Sequence, residues 1–149
     1  MDRYITALEK VIGHSGIGFE DALTLKKSNF NLENNTISVQ HGKTAKIRIC
    51  TIRPDDVEWF ADFIKDEEEG IVFSFAPRTI RYYLKRKNTT PHLLRKDLWN
   101  TMHHLKAPDA IIAIKFGHWI DFEDEPFEKN KLFAKLREFE NIHFGGIAA

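Results

Sequence analysis

The sequence predicts an α+β fold that is mostly helical, with one small antiparallel β-hairpin or sheet near the N-terminus. Apolar residues recur at helical spacing over most of the chain, whereas strict alternation is confined to the stretch 36–52. The 149 residues are 42% apolar and 30% charged, and no Pro- or Gly-rich tract divides them. Those figures predict a single globular domain over residues 1–149, able to bury roughly two thirds of its unfolded surface.

Taken in order, Ile5, Leu8 and Ile12 share one helical face, and Gly13 closes that first helix. After SGIG, the spacing of Phe19, Ala22, Leu23 and Lys26 predicts a second short helix. The polar run SNFNLENN ends it in turns, with Asn34 and Asn35 tolerant of positive φ. TISVQ alternates, HGK turns, and AKIRICTI alternates again through Ile47 and Ile49, the pattern of a hairpin. Pro54 opens the next helix, with Asp55, Asp56 and Glu58 in its first turn and Val57, Phe60, Ala61 and Ile64 on its apolar stripe. GIVFSF reads equally as a buried strand or a linker. PRTIRYYLKRK starts a helix that can turn Ile80, Tyr83 and Leu84 inward and Arg78, Arg81, Lys85 and Arg86 outward. Thr90 and Pro91 supply a capping hydroxyl and a first-turn proline to a helix carrying Leu94, Leu98, Met102 and Leu105 inward. Pro108 begins DAIIAIKFGH, and NKLFAKLREF is a last amphipathic stretch presenting Leu132, Phe133, Leu136 and Phe139.

Cys50 is the single cysteine, so no disulfide can form within the chain, and no apolar run approaches the ~18 residues of a membrane span. MDRYITALEKVIG lacks the basic and then apolar order of a secretory signal. Together these predict a soluble, cytoplasmic protein. The formal net charge is zero, which argues against an evenly basic nucleic-acid binder. The distribution is uneven, however: residues 1–75 carry −4, residues 76–106 carry +7 and residues 107–149 carry −3. A basic middle interleaved with Tyr82, Tyr83 and Trp99 suits a polyanion, because each neutralised phosphate releases counterions. Arg78, Arg81, Lys85, Arg86 and Lys96 are the candidate DNA contacts. A solvated helical face is the competing explanation.

The order of elements resembles the catalytic domain of the tyrosine recombinase (phage integrase) family. SGIGFEDALTLKKSNFNLENNTISV is similar to the family's opening, in which a Thr-Gly-Leu-Arg motif, a helix bearing an acidic residue (here Asp21) and a hairpin follow in turn. HGKTAKIRI resembles the hairpin that brings the family's lysine, here Lys43. TPHLLRKDL matches the His-x-x-Arg box with His92 and Arg95. FGHWIDFEDEPF resembles the segment that starts Leu-Gly-His, here with His118, and ends nine residues later at the nucleophilic tyrosine.

The resemblance implies Lys43, His92, Arg95 and His118 as remnants of a catalytic set. It also implies duplex DNA as partner, another recombinase subunit or a second copy docked through the C-terminal helix, no cofactor, and nucleoid association when DNA is bound. The family's separate N-terminal DNA-clamping domain is not expected within residues 1–149. Two departures stand out: Gly18 occupies the position of the family's first arginine and Phe127 that of its tyrosine. Phenylalanine has no oxygen with which to attack a phosphodiester. Loss of one guanidinium also removes stabilisation of the transition state. The remaining groups could still hold phosphate, since binding needs donors and positive charge but no nucleophile.

Each candidate has a plainer alternative. Arg95 could form an internal ion pair and His92 a cap, Lys43 could be a solvated turn residue, and His118, next to Trp119, could simply pack. Tyr4, Tyr82 and Tyr83 do not lie at the family's nucleophile position. Glu20, Asp21 and the acidic run 123–125 single out no catalytic dyad. His103 and His104 point about 100° apart on a helix, so no metal site is expected. GHSGIG lacks the Lys-Ser/Thr of a phosphate-binding P-loop. Two rival functions remain beside a non-cleaving DNA-binding domain: an active recombinase completed by a partner subunit, and a protein-interaction domain without DNA affinity.

Overall fold

A computed structural model describes residues 1–41, 46–117 and 126–145, with backbone alone for His41 and residues 126–128. Helix α1 (Asp2–Gly13) buries Ile5, Ala7, Leu8, Val11 and Ile12. Helix α2 (Phe19–Ala22) is a single turn, shorter than its spacing suggested. The Thr24 hydroxyl donates to the Asp21 carbonyl at 2.7 Å, so the chain tightens there instead of continuing as a helix.

The polar run after α2 holds more order than a turn. Residues Lys27–Asn29 form one 3-10 turn, and Phe30–Asn31 form strand β1, which pairs antiparallel with β2 (Thr36–His41). Phe30 explains the extra strand: it is buried and lies 5.7 Å from the Phe60 ring. Asn31 then accepts the Glu33 and Asn34 N–H groups, and Asn35 takes the positive φ of 55° that closes the turn. Strand β3 (Lys46–Thr51) pairs antiparallel with β2 from Thr36–Thr51 to His41–Lys46, giving a three-stranded sheet in the order β1-β2-β3.

The facing of β3 inverts the apolar reading of its alternation. Ile47 and Ile49 are 66% and 40% exposed, while Arg48 and Cys50 point into the protein. Arg48 is admitted because its guanidinium finds the Gly16 and Lys115 carbonyl oxygens there.

A 3-10 turn at Pro54–Asp56 leads into α3 (Val57–Lys65), which buries Phe60, Phe63 and Ile64. Asp56 is fully buried, accepting from Lys10 at 2.8 Å and pairing with His14 Nδ1 at 2.7 Å, and so ties the turn to α1. Burial opposes its ionisation, but the hydrogen bonds and charges of His14 and Lys10 prevail and hold the carboxyl below its ordinary value. Its contribution is therefore full above the unfolded carboxyl's value near 4 and is lost as pH falls through the lower folded value. Asp56→Asn is expected to cost about 2 kcal/mol at pH 7, with the gap to wild type closing toward pH 3 in urea titrations.

GIVFSF is not a strand: Ile71 makes one isolated bridge with Lys26, and Val72 and Phe73 plug the core on the way to α4 (Pro77–Arg86). In α4, Ile80 and Leu84 are buried and Tyr83 half-buried, while Arg78, Arg81, Lys85 and Arg86 are exposed. Helix α5 (Pro91–His104) is capped by the Thr90 hydroxyl, which accepts the Leu93 N–H at 3.1 Å. Helix α6 (Asp109–Phe116) ends at Gly117 with φ 74°, and α7 (Pro126–Phe144) follows.

Two apolar clusters result. One joins α1, the sheet, α3 and α4; the other joins Leu98 and Met102 of α5 to Ile111, Ile112, Ile114 and Phe116 of α6 and Leu136 of α7. A buried polar group lies where β3 meets α6 and α7. Lys115 Nζ, 2.6 Å from Glu140 Oε2 and 2.9 Å from Thr51 Oγ1, is its centre.

Candidate functional site

The loop after α1 sets the site. Gly16 holds φ 75°, which turns its carbonyl toward α5 and β3, and a Cβ there would lie 2.7 Å from the Lys115 carbonyl oxygen. Arg95 Nη1 donates to the Gly16 oxygen at 2.8 Å, and Arg48 Nη2 donates to the same oxygen at 3.1 Å. Arg48 Nη2 also reaches the Lys115 carbonyl at 2.7 Å. The Arg95 guanidinium lies 5.1 Å over the Phe116 ring. Burial, and then the neighbouring Arg48 charge, push the Arg95 pKa down from its ordinary value, though a guanidinium stays charged at any physiological pH.

Gly18 is adjacent. Its φ of −66° is ordinary backbone, and among the described residues a Cβ there would meet Arg95 Nη1 at 3.6 Å and nothing else within 4 Å. Gly18 and Arg95, the positions that the resemblance assigns to the family's two arginines, therefore stand side by side. Phe19 follows, and Arg81 of α4 stacks over its ring at 4.7 Å, which brings the basic helix up to the same place. Arg86 lies near the other end of α4, over Tyr82 and lining a hollow with Asp2, Ile5, Tyr83 and Lys87. Lys87 is ion-paired with Glu9, so part of the +7 segment is neutralised internally. Arg78, Lys85 and Lys96 are exposed.

Of the remaining candidates, His92 is exposed on the first turn of α5, one turn from Arg95, and Thr90 rather than His92 caps the helix. Lys43 and His118 lie outside the described residues. Phe127 is the second residue of α7. Tyr4 packs on Phe63 and Phe75 and donates to Glu67 at 3.0 Å, at the far end of α1 from Gly16. Cys50 is buried, which pushes its thiol pKa up against the pull of Arg48, Lys115 and Arg95, so it is a poor nucleophile at neutral pH. Among the described residues, no three His, Cys, Asp or Glu side chains cluster as metal ligands, and no helix is long and apolar enough to cross a membrane.

Arg48 was not among the sequence candidates. Its only signal was the register of the alternating run: it shares a strand face with Cys50, the side opposite the isoleucines.

No protein-family model matches the chain, and no curated protein matches it. Among solved structures the chain is similar to the crystal structure of XerA recombinase, with a TM-score of 0.63 at 20% identity. The match covers 95% of this chain and 62% of that one. The mostly helical architecture with its small antiparallel sheet is thus similar in fold to a tyrosine recombinase domain.

Proposed function

We propose that residues 1–149 form an integrase-like domain that binds duplex DNA through Arg95 and the exposed face of α4 and does not cleave it by the tyrosine mechanism. The observation that carries this reading is the contact between Arg95 Nη1 and the empty side-chain position at Gly18. Arg95 presents its charged guanidinium beside the position where, by the resemblance, a second guanidinium would complete a phosphate clamp. Arg81 extends positive charge from that point along α4, where contacts to the sugar-phosphate backbone need no base recognition. Phe127, in the position assigned to the nucleophile, carries no oxygen, so strand cleavage has no attacking atom.

Duplex DNA titrated at several salt concentrations tests this. Affinity is expected to fall steeply with salt, and Arg81→Ala and Lys85→Ala should each flatten the slope by about one phosphate contact without changing sequence preference. No binding at low salt would overturn the reading and leave a protein-interaction domain. A nicked suicide substrate is expected to give no covalent adduct. An adduct formed only with a partner recombinase present would instead establish an enzyme completed in trans.

A further inference from the structure

Arg48 is 7% exposed, yet its hydrogen bonds end on two main-chain carbonyls, Gly16 and Lys115. Its Nε is buried with no hydrogen-bond partner among the described residues. A buried arginine of this kind is costly unless its fork does something that a lysine or an apolar side chain could not. What the fork touches is informative. Gly16 O is the oxygen that also holds Arg95, so two like charges converge on one carbonyl. Lys115 O belongs to the last turn of α6. A Cβ at Gly117, where φ is 74°, would collide with the Arg48 Nε, Cζ and Cδ atoms. Three segments distant in sequence (the Gly16 loop, the end of α6, and Arg95 on α5) are thus indexed against one side chain on β3.

We propose that Arg48 is a positioning residue for the phosphate clamp: it fixes the carbonyl that aims Arg95 and sets the chain at Gly117. Its buried charge partly replaces the guanidinium absent at position 18. The proposal rests on the reading that Arg95 meets a DNA phosphate. Both carbonyl bonds leave one terminal nitrogen, Nη2, which the planar guanidinium holds at a fixed reach and angle, so a lysine at 48, with a shorter stem and a tetrahedral head, keeps the charge and loses the indexing. A charge at that depth is screened little by solvent and raises the potential felt by an anion beside Arg95.

The full-length chain, a 20-base-pair duplex and a double-mutant cycle test this. Arg48→Lys and Arg95→Ala are each expected to weaken DNA binding about tenfold and to lower the salt slope by about one. Combined, they should cost no more than either alone, because the first acts through the second. Losses that add, or wild-type affinity in Arg48→Lys, would overturn the proposal. Gly117→Ala, which displaces Arg48 without removing it, supplies the same test should Arg48→Lys fail to fold. The Arg95 Nε–H resonance, read by NMR without DNA, separates the two layers. In both Arg48→Lys and Gly117→Ala it should shift and broaden. An unchanged resonance sinks the positioning role even where DNA binds, and a shifted resonance in a chain that does not bind DNA sinks only the DNA reading.

Discussion

Lys115→Ala is expected to lower the unfolding free energy by about 3–5 kcal/mol, a fall in Tm of roughly 10 °C. Lys115 and Glu140 side chains are 1% and 4% exposed, and removing the ammonium strands a carboxylate in the interior. The Thr51 hydroxyl, which accepts from Lys115, carries no charge with which to replace the ammonium. Pairing Lys115→Met with Glu140→Leu should recover most of the loss, since a well-packed apolar pair of similar volume avoids both desolvation costs. Differential scanning calorimetry on the two singles and the double decides it. If the double is as unstable as the singles, the pair is needed for its geometry and not merely for mutual neutralisation.

Gly16→Ala is expected to cost about 2–4 kcal/mol, and the cost has two parts. A φ of 75° is strained for any residue with a Cβ, and the added carbon meets the Lys115 carbonyl at 2.7 Å. That neighbour is backbone, held by Arg48, and cannot swing aside. Urea unfolding measures the loss. Serine should be as damaging as alanine, since the fault lies in the Cβ and not in polarity. Asparagine, which tolerates the left-handed region, should be no better, because the collision remains. A Gly16→Ala protein of wild-type stability would mean that the loop has room to move.

The helices were legible because their signals are local. Thr90 with Pro91, the Ile80/Leu84 stripe and the spacing of Leu98 and Met102 each describe a neighbourhood of a few residues, and each settles as its pattern suggests. Strand β1 was missed for the opposite reason. Two residues carry no periodicity, and what orders Phe30 is remote in sequence: pairing with β2 and packing on the Phe60 ring. The inverted facing of β3 is likewise non-local: Ile47 and Ile49 look like core until Arg48 is seen to have carbonyl partners 32 and 67 residues away. Arg95 was singled out by its place in the His-x-x-Arg box, and the structure sets it beside Gly18, to which the same resemblance assigns the family's first arginine. Arg48 and the Lys115–Glu140 pair answer to no motif and depend on the packing of β3 against α6 and α7.

The polar group where β3 meets α6 and α7 has a thermal consequence. Hydration of charged groups becomes more favourable on cooling, so the cost of keeping Lys115 and Glu140 dry rises as temperature drops. The hydrophobic drive that packs Leu136 against Ile111 and Ile112 weakens over the same range. Cooling presses on this seam through both effects at once, while the α1 cluster, whose buried Asp56 carboxylate is paired with the part-exposed Lys10 and His14, feels the first less. The grip on α7 should therefore be strongest at warm temperatures and the first to loosen in the cold.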